Sequence, residues 1–279
     1  MKTPALPSPD APAGHVWPTE TGRSVLREAC VAGAPRVRRD LAGQRGVANG
    51  SGASDVLIVQ VGDTWCFKTS VRRCFDDADG ARTALLELVQ RKCALGPLIP
   101  DRTAIALRQD EGGRYWLWTV CPWVTTLRAA MTDAEGRAND GALGRALSCY
   151  ARSVVEALLL AARRQIVLDV HPSNFAVVNG QTVYVDDDVA DGRELPSIGH
   201  AVLRRIDEYG HRPSAVSTYV RALEREISER LTPEDIRALD LVTKLELARA
   251  VSPAVREARS QLVSTLSRGR KRSQSVRRS

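Results

Sequence analysis

Residues 168–189 read LDVHPSNFAVVNGQTVYVDDDV, and this stretch decides how the rest of the chain is interpreted. The tripeptide NGQ separates two short apolar segments, FAVV and TVYV, and this pattern predicts a β-hairpin. Residues 141–164, just before it, carry an apolar stripe at helical spacing and predict a long helix. We therefore expect Asp169 and Asn174 on a loop between helix and hairpin, and Asp186 at the end of the hairpin's second strand.

These three side chains have the chemistry of a phosphoryl-transfer site. Oxygen ligands from Asn174 and Asp186 suit a hard cation such as Mg²⁺, which takes few protein groups alongside substrate phosphates. Asp169 could then accept or orient the proton of an attacking hydroxyl, a step that phosphoryl transfer requires. The alternatives are an ordinary polar loop at 169–174 and a solvated turn at Asp186, because these residue types favour turns. The acid that ends the hairpin favours the metal site.

The motif DVHPSN at residues 169–174 resembles the D-x-H-P-x-N catalytic loop of the protein-kinase-like superfamily. It is most similar to the atypical and small-molecule branch, which includes the aminoglycoside and choline phosphotransferases. The resemblance implies that Asp169 is the catalytic aspartate, that Asn174 binds magnesium and that Asp186 chelates the metal of the nucleotide. The histidine and proline between them would shape the loop.

Features upstream of this loop occur in the order that the resemblance requires. Gly46, Gly50 and Gly52 precede a predicted hairpin at 55–70, where backbone amides could close over nucleotide phosphates. Lys68, on the second strand of that hairpin, matches the family's strand lysine that contacts the α and β phosphates. The glycine stretch could equally be a flexible loop, and Lys68 could be an edge-strand lysine that faces solvent.

Glu87 lies on the predicted helix at 79–95 and matches the family's acid that pairs with the strand lysine, here Lys68. The same glutamate could instead pair with Arg91, four residues later on an exposed helix face. Residues 120–131 resemble the connector between the lobes, whose backbone groups receive adenine. The resemblance thus implies ATP and Mg²⁺ as cofactors.

The sequence departs from the family pattern at several points. Val167 and Leu168 stand where related kinases carry His-Arg or His-Gly. An Asp-Asp-Asp triplet at 186–188 replaces Asp-Phe-Gly, and a short connection leads from it to the helices predicted after Pro196. These departures favour an atypical or small-molecule kinase. They also leave open a pseudokinase, meaning a nucleotide-binding or partner-binding module without turnover.

The predicted fold class is α+β, a two-lobed protein-kinase-like fold with a small antiparallel-sheet lobe carrying one helix and a larger helical lobe. A second antiparallel pair is expected at TAIALRQ and RYWLWTV, and helices are expected throughout the region after Pro196. The expected divisions are a disordered proline-rich leader at 1–20, a nucleotide-binding lobe at 21–120, a helical lobe with the catalytic loop at 121–267, and a basic disordered tail at 268–279.

Composition limits the classes of function. The tail at 268–279 contains six Lys or Arg residues of a chain whose formal net charge is +7, which indicates a solvated end more than a nucleic-acid surface. Binding of nucleic acid through this tail is the third alternative. No apolar run approaches the roughly 20 residues of a spanning helix, so no membrane insertion is expected. The six cysteines lack CxxC spacing and indicate neither a zinc site nor a disulfide framework.

Together these features predict an ATP- and Mg²⁺-dependent phosphotransferase that moves the γ-phosphate to a hydroxyl group. A small molecule and a protein side chain both fit as the acceptor. The N-terminal segment lacks the apolar core of a secretion signal, so a cytoplasmic location is expected.

Overall fold

The structure is a computed structural model that describes residues 4–12, 14–38, 56–187, 189–191, 198–249 and 252–276. The chain is α+β and divides into two compact units, Met1–Val124 and Thr125–Ser279. Within the described ranges, no helix has the length and apolar character needed to cross a bilayer.

The first unit contains a seven-stranded antiparallel sheet. Its strands are β1 (Val16–Trp17), β2 (Pro35–Val37), β3 (Val56–Val61), β4 (Trp65–Ser70), β5 (Cys74–Phe75), β6 (Ala104–Gln109) and β7 (Tyr115–Pro122). They follow the order β1-β6-β7-β4-β3-β2, and β5 pairs with β7. Two helices, α1 (Thr19–Val31) and α2 (Ala78–Leu95), belong to the same unit.

Alternation along the strands divides the side chains of the sheet between two faces. On one face, Phe67 and Trp118 share a core with Leu26 of α1. On the other face, Leu117 packs with Leu85 of α2. Because α1 packs on one face and α2 on the other, the strands carry apolar residues at consecutive positions.

Three local predictions for this unit are confirmed. β3 and β4 form the predicted hairpin, with Val61 opposite Trp65. α2 begins after Asp77, whose carboxylate accepts a hydrogen bond from the backbone N–H of Gly80 at 2.7 Å, and it ends at Gly96, where φ is 57°. β6 and β7 form the second antiparallel pair.

The proline-rich leader predicted at 1–20 is partly structured. β1 pairs with β6, and the backbone N–H of Leu107 donates to the carbonyl of His15 at 2.8 Å. α1 also begins within this segment. The expectation of disorder is therefore wrong for residues 16–20, because prolines exclude a helix interior but permit a short edge strand. The partner of this edge strand, β6, is distant in the sequence.

The second unit is mainly helical. Its helices are α3 (Leu127–Gly136), α4 (Asp140–Arg164), α5 (Ile198–Glu208), α6 (Pro213–Arg230), α7 (Pro233–Ala238), α8 (Leu241–Leu247) and α9 (Pro253–Val276). α4 packs along both α3 and α6. Two antiparallel strand pairs lie among the helices: β8 (Ile166–Leu168) with β11 (Val189–Asp191), and β9 (Phe175–Val178) with β10 (Gln181–Tyr184).

The long helix, the embedded hairpin and the helices after Pro196 are confirmed. α4 ends where Gln165 takes the left-handed conformation, with φ at 57°. The tail is different from the prediction, because the backbone of α9 remains helical as far as Val276 and so includes most of the segment predicted to be disordered. Lys, Arg, Gln and Ser are all compatible with a helix, and Gly269 alone does not stop it.

Candidate active site

The segment that carries the predicted site lies between β8 and β11, and these two strands pair with each other. β8 pairs with β11 so that Leu168 lies opposite Val189. Residues that follow β8 and residues that precede β11 therefore leave this pair at the same end. Between them, a 3₁₀ turn at Pro172–Asn174 leads into the β9–β10 hairpin. This arrangement brings the 169–174 loop beside the acidic segment 185–187.

Asp169 and Asn174 are in direct contact. The side-chain amide of Asn174 donates to a carboxylate oxygen of Asp169 at 3.0 Å and to the backbone carbonyl of Asp169 at 3.2 Å. The other carboxylate oxygen of Asp169 accepts from the backbone N–H of His171 at 3.1 Å. Asn174 is only 2% exposed, whereas Asp169 is exposed. The buried Asn174 therefore orients the carboxylate of Asp169, which remains accessible to an incoming group.

Asp186 is connected to the same loop through the backbone. The N–H of Val185 donates to the carbonyl of Asn174 at 2.8 Å, which fixes the start of the acidic segment against the loop. Asp186 is 3% exposed, and one of its carboxylate oxygens accepts from the backbone N–H of Asp187 at 2.7 Å. A buried amide oxygen and a buried carboxylate thus stand on neighbouring segments.

This pair of oxygen ligands fits Mg²⁺. The amide nitrogen of Asn174 donates to Asp169, and its amide oxygen, which accepts a hydrogen bond from the hydroxyl of Ser173 at 3.3 Å, is the atom that could also bind a metal. Mg²⁺ usually takes one or two protein groups and completes its shell with water and substrate phosphates. Within the described residues, there is no group of three or more His, Cys, Asp or Glu side chains arranged to hold a metal. Asn174 and Asp186 are thus the described residues that could supply oxygen ligands to such an ion.

His171 shapes the loop and does not reach Asp169 through its ring in the described contacts. Its Nδ1 lies 2.7 Å from the hydroxyl of Ser173 and 3.3 Å from the backbone N–H of the same residue. Burial lowers the pKa of His171, and the positive charge of Arg205 lowers it further. The ring is therefore neutral at neutral pH and acts as a hydrogen-bonding brace.

A buried tyrosine, which the sequence analysis did not identify, supports the loop from behind. The hydroxyl of Tyr150, on α4, donates to the backbone carbonyl of Val170 at 2.8 Å. Its ring stacks on Tyr219 with 6.0 Å between centroids. Burial raises the pKa of Tyr150, so its hydroxyl stays protonated and remains a donor. The sequence feature that could have identified Tyr150 is a hydroxyl-bearing aromatic residue among the apolar residues of α4.

Three charged residues form a network next to this tyrosine. The guanidinium of Arg205, which is 3% exposed, lies 5.9 Å from the centroid of the Tyr150 ring. Arg205 and Arg128 both form ion pairs with Glu208. The network thus joins α3 and α5 to α4, the helix whose Tyr150 supports the loop.

Lys68 lies in the first unit, on β4, directly opposite Ile58 of β3 and Thr119 of β7. Strand alternation places it on the face of the sheet that α2 covers, since Phe67 belongs to the other face. Lys68 is only 7% exposed. The alternative of a solvent-facing edge lysine is therefore wrong, because β4 is an interior strand and the side chain is buried.

Glu87 lies on α2, as predicted, but its side chain is exposed. The buried face of α2 carries Leu85, Leu88 and Lys92 instead. Among the described residues, no ion pair joins Glu87 to Lys68, and the pairing of these two residues stays a prediction. Lys92, which is 2% exposed, is a buried charge on this face and was not among the predicted site residues.

Gly46, Gly50 and Gly52 lie outside the described residues, in the stretch between β2 and β3. These two strands are antiparallel neighbours, with Val37 opposite Val59. The stretch that resembles a lobe connector runs from the end of β7 into α3.

No protein-family model matches the sequence, and no curated protein matches it either. The function must therefore be inferred from the site residues and their contacts.

Proposed function

We propose that this chain is an ATP- and Mg²⁺-dependent phosphotransferase of the atypical, protein-kinase-like type. The observation that carries the proposal is the contact between the exposed Asp169 and the buried Asn174, whose backbone carbonyl is bonded to the residue before Asp186. A carboxylate open to an acceptor and two buried oxygen ligands are the groups that phosphoryl transfer needs on one side of the transferred phosphate.

Each residue has a separate role in this proposal. Asp169 orients the acceptor hydroxyl and receives its proton as the new bond forms. Asn174 and Asp186 hold the metal, which when bound neutralises charge on the phosphates. Lys68 contacts the α and β phosphates, Glu87 steadies Lys68, and the backbone at Gly50 and Gly52 closes over the phosphates. The acceptor is a hydroxyl of a small molecule or a protein.

The order and types of elements support a kinase-like fold. Lys68 lies on β4, an interior strand of an antiparallel sheet, β5 and α2 follow it in the chain, and the helical unit that comes next contains the loop and the hairpin. Protein kinases likewise place their phosphate-binding lysine on a strand of an antiparallel sheet and their metal ligands on the catalytic loop and the segment after it. We propose a cytoplasmic location, where ATP and Mg²⁺ are supplied.

The test is the substitution Asp169→Asn, which keeps the shape of the side chain and removes its ability to take a proton. We expect phosphate transfer to fall by about 10²–10⁴-fold while the affinity for Mg²⁺-ATP changes little. Transfer is measured by ATP consumption during a screen of hydroxyl acceptors, and affinity by thermal shift. Asp207→Asn, an exposed aspartate on α5, is the matched control. Transfer at the original rate in the Asp169 variant would refute the assignment.

The exposure of Glu87 favours a second candidate, a pseudokinase that binds nucleotide or a partner without turnover. The resemblance makes Glu87 the acid that positions Lys68, and a glutamate whose side chain is exposed on α2 fits that role poorly. Titration with Mg²⁺-ATP distinguishes the candidates when it is followed by an ATP consumption assay over the same acceptors. Binding with turnover supports the phosphotransferase, and binding without turnover supports the pseudokinase.

A further inference from the structure

Two cysteines face each other across the centre of the sheet in the first unit. Cys66 on β4 lies directly opposite Cys121 on β7. Directly opposed residues of an antiparallel pair have Cα atoms about 4.5–5.5 Å apart, within the roughly 4.4–6.8 Å that a disulfide spans. The third cysteine of the sheet, Cys74, lies opposite Trp116 and has no such geometry.

The two thiols differ in their access to solvent. Both are reduced. Cys66 is partly exposed, whereas Cys121 is 8% exposed. A small oxidant therefore reaches Cys66 first, and Cys121 is positioned to react with the product.

The cysteine pair is adjacent to Lys68. Cys66 is two residues before Lys68 on β4, and Cys121 is two residues after Thr119, the residue opposite Lys68. Because side chains repeat on one face every second residue, all four side chains lie on the same face of the sheet. The rise along a strand places the pair Cys66 and Cys121 about 7 Å from the pair Lys68 and Thr119.

We propose that Cys66 and Cys121 form a reversible disulfide when the protein reacts with hydrogen peroxide. The Cys66 thiolate attacks one oxygen of the peroxide, the O–O bond breaks, and the hydroxide that leaves takes a proton to become water. The Cys121 thiolate then attacks the sulfur of the resulting sulfenic acid, the S–O bond breaks, and the hydroxide that leaves takes a proton to become a second water. The peroxide accepts the two electrons that the two thiols lose.

The disulfide changes the surroundings of Lys68, an effect that rests on the proposed function. A disulfide holds its Cβ atoms about 3.8 Å apart, closer than the roughly 4.5–5.5 Å of an opposed strand pair. Oxidation therefore draws β4 and β7 together one row from the lysine. We expect the affinity for Mg²⁺-ATP to fall several-fold in the oxidised protein and to recover on reduction.

The covalent step is tested on the full chain with hydrogen peroxide. Treated protein is alkylated, digested without reductant and analysed by mass spectrometry. We expect a linked pair of peptides containing Cys66 and Cys121, which dithiothreitol separates. Cys66→Ser and Cys121→Ser remove this pair, while Cys74→Ser and the exposed Cys93→Ser retain it. Separate alkylation of both cysteines in the oxidised wild-type chain would overturn the proposal without any variant.

The coupling to the nucleotide is tested separately by thermal shift with Mg²⁺-ATP on reduced and oxidised protein. A smaller shift after oxidation, reversed by dithiothreitol and absent in Cys66→Ser, supports the coupling. An equal shift in both states overturns it. If the disulfide forms but neither state responds to Mg²⁺-ATP, the cysteine pair stands as a modification site and the proposed function fails.

Discussion

The side chain of Asn174 holds Asp169 at two points, since one amide nitrogen lies 3.0 Å from the carboxylate and 3.2 Å from the backbone carbonyl of the same residue. A single buried amide thus sets both the position of the aspartate's backbone and the direction of its side chain. The amide oxygen accepts a hydrogen bond from the hydroxyl of Ser173 at 3.3 Å and is the part of Asn174 that suits a metal.

Replacing Asn174 by alanine should impair catalysis more than folding. The change removes both bonds to Asp169 and one metal ligand, so we expect turnover to fall by about 10²-fold or more and the concentration of Mg²⁺ needed for half-maximal turnover to rise. ATP consumption over a Mg²⁺ titration measures both effects. Gln181→Ala, at an exposed position of β10, is the control. An unchanged Mg²⁺ dependence would contradict the assignment of Asn174 as a ligand.

Replacing Tyr150 by phenylalanine should reduce both stability and turnover. The loss of its bond to Val170 leaves a backbone carbonyl unpaired and costs about 1–3 kcal/mol of unfolding free energy. The matched control is Tyr219→Phe, which removes a 3.0 Å bond to the carbonyl of Val202, away from the loop. Urea unfolding should report similar losses for both variants. A fall in kcat should occur only for Tyr150→Phe, and equal kcat in the two variants would exclude a positioning role.

Replacing Gly62 by alanine should destabilise the first unit strongly. Gly62 has φ at 56°, and a Cβ there would overlap the carbonyl oxygen of Ala32. Gly180 also has a positive φ, 78°, but a Cβ there meets nothing within 4 Å. We expect Gly62→Ala to lower the free energy of unfolding by at least about 2 kcal/mol and Gly180→Ala by about 1 kcal/mol. Urea unfolding midpoints measure the difference, and equal losses would show that the overlap is relieved at no cost.

Asp235 should contribute stability that depends on pH. Its hydrogen bonds to Arg163, at 2.8 Å and 3.1 Å, hold its pKa below the usual range, and bonds from Thr232 act in the same direction. The unfolded chain therefore binds this proton more readily, so the contribution is complete above the unfolded pKa of about 4. It is lost as the pH falls through the lower pKa of the folded state.

The corresponding variant is Asp235→Asn. We expect it to lose about 1–2 kcal/mol of unfolding free energy at pH 7 and at pH 5, with a smaller difference from wild type below about pH 4. Urea unfolding at these pH values provides the measurement, and Glu229→Gln, an exposed substitution on α6, is the control. A difference that stays constant down to pH 3 would mean that the carboxylate charge is not the cause.

Elements with local start and stop signals could be predicted from the sequence. The β9–β10 hairpin is one, because Asn179 and Gly180 take positive φ values of 50° and 78°, which two-residue hairpin turns require. The strands β1, β8 and β11 have two or three residues each and exist through partners distant in the chain. No pattern within such short segments can predict that pairing.

The site could be predicted in part for the same reason. Asp169 and Asn174 are five residues apart, so a single loop brings them together. The Tyr150 hydroxyl meets Val170 only because α4 returns past the loop, and the ion pairs of Arg205 depend on where α5 packs. Glu87 had the expected spacing from Lys68, but the spacing does not determine which side of α2 is buried, and Leu85, Leu88 and Lys92 take that side.

The pairing of β1 with β6 has a practical consequence for anyone who trims the chain for expression. Cutting at residue 21, where the prolines end, would strip the outermost strand from the β6 edge and remove the first residues of α1. The exposed backbone groups of β6 would then invite association between copies. Shortened versions should keep the segment from residue 4 onward, prolines included.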